Sequence, residues 1–114
     1  MKLELSIENK SENTYVINFE GAFDGSIKES LIELEGLIKS GTPKMKLIFD
    51  FTKLDYLNSY AIGQIVAWYN DVAKKEGQII IVNTNKNIED ILGIVGVSQL
   101  FKIHSSVDEA LTDA

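Results

Sequence analysis

One serine in this chain stands where backbone chemistry favours an anion. A strand-like run, Lys46-Leu47-Ile48-Phe49-Asp50-Phe51, leads through a short polar loop to Asn58-Ser59, and a helical pattern starts immediately after. A hydroxyl at such a junction lies beside the first four amides of a helix, which have no intrahelical partner, and at the positive end of the macrodipole. A phosphate on Ser59 would add roughly −1.5 to −2 charge, and the helix terminus would partly stabilise it. The same residues admit a purely structural role. Asn and Ser are both preferred helix caps, each worth roughly 1 kcal/mol.

Other residue types that could do chemistry are sparse. Asp50 and Asp55 flank the loop before Ser59, and paired carboxylates can perform acid–base work; their spacing instead suggests one acid at a strand end and one in a turn. The chain has one histidine, His104, and no cysteine. That removes disulfides, thiolate catalysis and Cys-based zinc sites, and leaves too little for a multi-His metal site or an ordinary Ser-His-Asp triad. His104 is expected as a solvated residue at a strand end. Gly93 and Gly96 read as the end of a helix rather than a phosphate-cradling loop. Tyr56 and Tyr60 flank the junction and are interface anchors if exposed. Tyr69 is in phase with a core stripe, and Trp68 lies toward its edge, as semi-buried packing. No metal and no cofactor are expected, and no general base stands out beside Ser59, so a non-enzymatic role is expected.

The elements that must position Ser59 follow from composition and periodicity. The chain has 114 residues, 45% hydrophobic and 25% charged, which fits one globular domain over 1–114. Its net charge of −6 opposes non-specific nucleic-acid binding, which rests on Lys and Arg neutralising phosphates. No run approaches about 20 apolar residues, so nothing is expected to span a membrane, and the start MKLELSIENK lacks signal-peptide organisation, which makes cytoplasm the default location.

Leu3–Ile7 alternates apolar and polar residues, as a half-buried edge strand does, and Thr14–Glu20 should pair with it across a turn at Ser11-Glu12-Asn13. Glu20–Gly25 breaks the pattern. Ser26-Ile27-Lys28-Glu29 reads as a capping box opening a helix on Ile27, Leu31, Leu34 and Ile38, widened by Ile32 and Leu37, and closed at Ser40-Gly41-Thr42-Pro43 with Gly in a left-handed cap. The helix after Ser59 carries Ile62, Ile65, Val66, Tyr69, Val72 and Ala73 on one face, has Lys74-Lys75 in its last turn, and stops at Gly77. Lys46–Phe51 and Gln78–Val82 read as strands buried on both faces. A helix over Asn87–Val95, a short strand over Leu100–Ile103 and a second capping box at Ser106-Val107-Asp108-Glu109 complete the chain. The order is β-β-α-β-α-β-α-β-α: an α/β fold with a mixed, mostly parallel sheet of about four or five strands and about four helices.

The segment Met45–Gly63, MKLIFDFTKLDYLNSYAIG, resembles the signature of the STAS domains, the family of bacterial anti-sigma factor antagonists, in which a (L/V)DLS-x-(V/L)-x-(F/Y)-(M/I/L)-D-S-(S/A)-G-(L/I)-G run carries a phosphorylatable serine. Ser59 falls on that serine, and Ile62 and Gly63 also match. The resemblance extends to Phe19–Asp24, against the family's (V)-x-G-x-(F/L)-D, to Ile79–Asn83, and to Leu100–Ile103 with Ser106–Ala110, and so covers nearly the whole chain. It implies the STAS fold. It also implies a regulator without catalysis of its own, which binds an anti-sigma factor of the histidine-kinase-like ATPase, serine-kinase type, loses that binding when Ser59 is phosphorylated, and regains it through a phosphatase. Asp24, Asn58, Tyr60 and Ala61 would surround the partner contact; Asp24 falls on the family's loop acid, and it equally fits an ordinary turn before Gly25. Three positions depart from the pattern. Asn58 replaces an Asp and loses its charge, Tyr60 replaces a small residue, and Ala61 replaces a Gly. These changes suit the alternative of a constitutive STAS-type subunit of a transporter or other complex, with no phosphorylation cycle.

Overall fold

Strand alternation and helical spacing produce the expected element order. The computed structural model describes residues 2–26, 28–94 and 101–112. Strand β1 (Leu3–Ser11) and strand β2 (Thr14–Phe23) form an antiparallel hairpin. A single 3-10 turn (Glu29–Leu31) leads into α1 (Ile32–Ser40). Then follow β3 (Lys46–Leu57), α2 (Ser59–Ala73), β4 (Gln78–Val82), α3 (Lys86–Ile94), β5 (Lys102–His104) and α4 (Val107–Thr112). The strands lie in sequence order in one five-stranded sheet, with β2, β3, β4 and β5 mutually parallel.

Because side chains alternate across a strand, the buried residues of the sheet divide between two faces. Ile17, Phe19, Leu47, Phe49, Ile79 and Ile81 join one cluster, closed by Leu34 and Ile38 of α1, Ile62, Ile65, Trp68 and Val72 of α2, and Ile88 and Leu92 of α3. Val16, Ile48, Ile80 and Val82 form the other, closed by Ala110, Val107 and Leu111 of α4. The four buried residues of β4, Ile79–Val82, thus read as a continuous apolar run because helices cover both of its faces. On the α4 face the β1–β2 portion stays polar: Glu4, Ser6, Glu8 and Glu20 are exposed, and the Asn18 side-chain amide donates to Ser6 Oγ (3.3 Å) and Glu8 Oε2 (2.7 Å).

Several boundaries differ from the sequence reading. The polar stretch after Phe51 is strand, not loop: β3 runs on to Leu57, paired with Glu20–Phe23 across two irregularities in register. Its side chains are largely exposed (Thr52, Lys53, Asp55, Tyr56), so periodicity gave no buried stripe to read, whereas Leu54 and Leu57 anchor it to the core. The capping box at Ser26 does not form. Asp24 takes both the Ser26 amide and hydroxyl, the chain enters α1 through the 3-10 turn, and neither start has a side-chain cap. Ile32 is correspondingly exposed, and Ile27 lies outside the described residues.

The glycines differ in role as well. Gly41 is extended (φ −67°, ψ 153°), and what it supplies is room: a Cβ there would meet Met45 Cε at 1.6 Å and the Leu37 carbonyl at 2.8 Å. The left-handed residue after α2 is Glu76 (φ 62°), one before Gly77. Gly93 lies inside α3, while Val95, Gly96 and Leu100 fall outside the described residues. On α2, Ala73 is exposed and Trp68 is fully buried against Phe23 (5.8 Å) and edge-on to Phe49 (6.0 Å). The last strand is Lys102–His104, so among the described residues it begins after Phe101 and runs one residue beyond Ile103.

Candidate functional site

The site is built where β2 and β3 end side by side. The parallel register sets Ala22 opposite Tyr56 and Phe23 opposite Leu57, so the loop after β2 and the turn into α2 emerge together. This is the carboxyl edge of the parallel strands, where open α/β sheets place ligands. A bulge at Gly21 directs β2 there. Gly21 has φ 102°, and a Cβ on it would lie 2.0 Å from the Lys2 carbonyl, so only glycine fits where the Ala22 amide donates to that carbonyl (3.0 Å).

Asn58 is the helix cap. Its backbone is extended (φ −122°, ψ −175°), its Oδ1 accepts from the Ala61 amide at 3.1 Å, and its own carbonyl accepts from the Ile62 amide at 3.1 Å. Its Nδ2 meanwhile donates to the Asp24 carbonyl at 3.1 Å. One side chain therefore satisfies an orphan amide of α2 and ties the β2 loop to it. A carboxylate at position 58 could accept the first bond but could not donate the second.

Ser59 is exposed at the first residue of α2, with the cap role already taken by Asn58. Tyr60 is 44% exposed and leans on Gly25, whose φ is 88° and whose hypothetical Cβ would touch the Tyr60 ring at 2.7 Å. Lys28 Nζ lies 6.0 Å from the centre of that ring, at the outer limit of a cation–π contact. The Asp24 carboxylate faces its own loop: Oδ1 accepts from the Ser26 amide (2.9 Å) and hydroxyl (2.6 Å). The Ser26 hydroxyl and then its amide hold the Asp24 carboxyl below its ordinary value. Asp24 therefore acts as a turn residue in this state and presents its backbone, not its carboxylate, to Asn58.

The structure thus brings Asp24, Asn58, Ser59 and Tyr60 together. Ala61 is fully buried beneath them, and what it adds at this junction is the amide that Asn58 caps. Gly25 and Lys28 belong to the same surface and were not singled out from sequence; the Asp24-Gly25 dipeptide before a break was the available signal. Tyr56 is 46% exposed on the same strand end.

The remaining candidates lie elsewhere. Asp50 Oδ1 accepts from the Thr52 amide and hydroxyl and from Asn83 Nδ2 (3.1 Å), whereas Asp55 is an exposed β3 residue, so the two form no carboxylate pair. His104 is not simply solvated. It is half-buried and meets Glu109 Oε1 at 2.7 Å, and Glu109 also accepts from Ser105 Oγ. Only one half of the second capping box forms: Ser106 Oγ accepts from the Glu109 amide at 3.1 Å, while the Glu109 carboxylate turns back to His104 and Ser105. Trp68 Nε1 is buried without a hydrogen-bond partner among the described residues, so this ring is core and not a ligand platform. No group of three or more His, Asp or Glu that could hold a metal occurs among the described residues. No helix among them is long and apolar enough to cross a membrane.

Comparison with known proteins agrees with this architecture. The STAS domain family matches residues 7–110. A Thermotoga neapolitana protein, named as a homologue of an anti-sigma factor antagonist, is 25% identical over 68 residues, which are 60% of this chain and 60% of that protein. The chain thus matches only about 60% of that relative's length. Among solved structures, an anti-sigma factor antagonist from Mycobacterium paratuberculosis superposes with a TM-score of 0.81 at 20% identity, covering 97% of this chain and 92% of that one. The phosphorylated form of the Bacillus cell fate determinant SpoIIAA superposes with a TM-score of 0.73 at 18% identity, covering 94% and 96%. At such identities the superpositions establish the fold. With the family match spanning residues 7–110, and a five-stranded sheet and four α-helices in the expected order among the described residues, the chain belongs to the STAS domain family.

Proposed function

We propose that this protein is an anti-sigma factor antagonist-like regulator that binds a partner through the surface around Ser59 and is switched by phosphorylation of that serine. The observation that carries the reading is the exposed Ser59 at the first residue of a fifteen-residue helix whose cap is supplied by its neighbour. The hydroxyl is free for modification without dismantling the cap. A phosphate there is favoured by the unpaired amides and the helix dipole, so the fold can accept it. The same phosphate changes the surface that Tyr60, Lys28 and the Asp24 loop present. Contacts made to a neutral serine would then meet about two negative charges and their desolvation cost.

The partner class in this reading is an anti-sigma factor of the histidine-kinase-like ATPase type, which is also the serine kinase, with a phosphatase restoring the unmodified state. Phosphopeptide mass spectrometry on the protein captured from its native cell is the test. Phosphate on Ser59, loss of partner capture in Ser59→Asp, and retained capture in Ser59→Ala are expected. An unmodified Ser59 across growth and stress conditions would sink the switch.

A second reading has one specific observation behind it. Asn58 donates to the Asp24 carbonyl, a bond that the family's usual Asp could not make, and this tightens the loop into a fixed unit. A constitutive STAS-type subunit of a larger complex would use such a rigid surface without a phosphate cycle. In that case Ser59→Ala and Ser59→Asp would both leave the complex intact.

A further inference from the structure

The outer edge of β1 is a sheet edge with its own pattern. Lys2 directs its carbonyl toward β2, where the Ala22 amide meets it, and backbone direction alternates along a strand. The backbone groups of Leu3, Leu5, Ile7 and Asn9 therefore face away from the sheet. The Leu3 carbonyl confirms this direction, since it accepts from the Ser30 hydroxyl across that edge. The outward groups of Leu5, Ile7 and Asn9 remain, on a segment regularly paired with β2 from Leu3 to Asn9. Leu5 and Ile7 are only half-buried. This segment has no proline and no bulge, two of the usual devices that blunt a sheet edge.

Its charges are arranged for a particular neighbour. Antiparallel pairing of β1 with another β1 about Ile7 sets Ile7 against Ile7, Leu5 against Asn9, Ser6 against Glu8 and Glu4 against Lys10. The outward groups of Leu5, Ile7 and Asn9 would then exchange hydrogen bonds. Glu4 and Lys10 would face each other across the seam as a side-chain pair just past the hydrogen-bonded Leu5–Asn9 segment, Lys10 itself standing at the irregularity between Asn9 and Ser11. Lys10 lies on the face of β1 that this requires, with its Nζ 3.3 Å from Glu8 Oε1. Other registers are worse. Centring on Ser6 opposes Glu4 to Glu8, and centring on Glu8 opposes Glu8 to itself and Glu4 to Glu12. Centring on Leu5 needs the Leu3 carbonyl that Ser30 already occupies, and centring on Asn9 runs into the irregularity between Asn9 and Ser11.

We propose that the outer edge of β1 is a homodimer surface, on which a second copy of this chain adds its β1 antiparallel about Ile7 and joins two five-stranded sheets into one. Each two-fold contact carries two Glu4–Lys10 pairs and covers Leu5 and Ile7 of both copies. The surface is isologous, as two-fold symmetry demands.

Sedimentation velocity across a concentration series at low salt tests this with a charge swap. The wild-type chain is expected to dimerise with rising concentration, less so at high salt. Glu4→Lys alone and Lys10→Glu alone each oppose like charges at both pairs and should weaken the dimer by about tenfold. An equimolar mixture of the two variants restores opposite charges at both pairs and should recover the dimer as a heterodimer, which also shows that both variants are folded. A wild-type chain that stays monomeric throughout overturns the proposal. So does a dimer indifferent to either swap, or a mixture that fails to recover what the single variants lose.

Discussion

Asn58 makes two bonds that belong to different parts of the fold, and substitutions separate them. Asn58→Ala removes the cap to Ala61 and the tether to the Asp24 carbonyl, and is expected to cost about 1–2 kcal/mol in denaturant unfolding. Asn58→Asp keeps an acceptor for the helix amide and adds a charge that the helix terminus favours, but it cannot donate to Asp24. Its expected loss is the smaller of the two. Equal losses would show that the tether, and not the cap, carries the stabilisation. Under the proposed switch, the same substitution would also show, by comparing Ser59 phosphate incorporation in Asn58→Asp and wild type, whether a carboxylate at position 58 favours the modification.

The helices are held by contacts that cross between elements. Lys75, just beyond α2, sends Nζ to the carbonyls of Ile38, Lys39 and Gly41 at 3.1, 3.0 and 3.3 Å. It thus caps the C-terminus of α1 with a positive charge. Lys75→Met keeps the aliphatic stem and removes the donors; about 1 kcal/mol of stability should be lost, with faster hydrogen exchange confined to the end of α1. At the other end of the chain, α4 is joined to β5 through Glu109. The His104 ring nitrogen, and then the Ser105 hydroxyl, hold the Glu109 carboxyl below its ordinary value of 4.5. A carboxylate with a depressed folded value stabilises the fold above its unfolded value and loses that contribution as pH falls through the folded one. The anchoring of α4 should therefore be intact above about pH 4.5 and decline below it. Glu109→Gln should flatten this acid dependence, as followed by thermal unfolding at a series of pH values.

On the scale of the whole molecule the sheet has unequal covers. Among the described residues, α1, α2 and α3 close one face, and the six-residue α4 closes the apolar part of the other. Ala110 is fully buried at that contact. Ala110→Glu would place a charge among Val16, Ile48, Ile80 and Val82, and should cost roughly 3 kcal/mol or more or displace α4 outright. Hydrogen exchange distinguishes the damage. Protection should fall in α4, β4 and β5 while α2, packed on the opposite cluster, keeps its own. Uniform loss across the chain would mean that the two clusters unfold as one.

Local sequence determined the parts of this protein whose signals are local. The continuous apolar run Gln78–Val82 marked a doubly covered strand to the residue, because burial on both faces removes the polar alternation. The start of α2 at Ser59 was legible because a cap is a property of adjacent residues, and the β-β-α-β-α-β-α-β-α order followed from alternating periods. Tertiary structure decided the rest. The exposed second half of β3 carries no apolar period and is strand because β2 pairs with it through a bulge. The capping box at Ser26 lost its hydroxyl to Asp24, two residues away, which a linear pattern counts only as turn chemistry. The Asn58 tether joins residues 34 apart, as does the contact of Lys75 with the Gly41 carbonyl, and no spacing rule reaches across that distance. Ser59 could be named from the sequence. That it stands exposed beside Tyr60 and a loop tied down by its neighbour depended on two strands ending side by side.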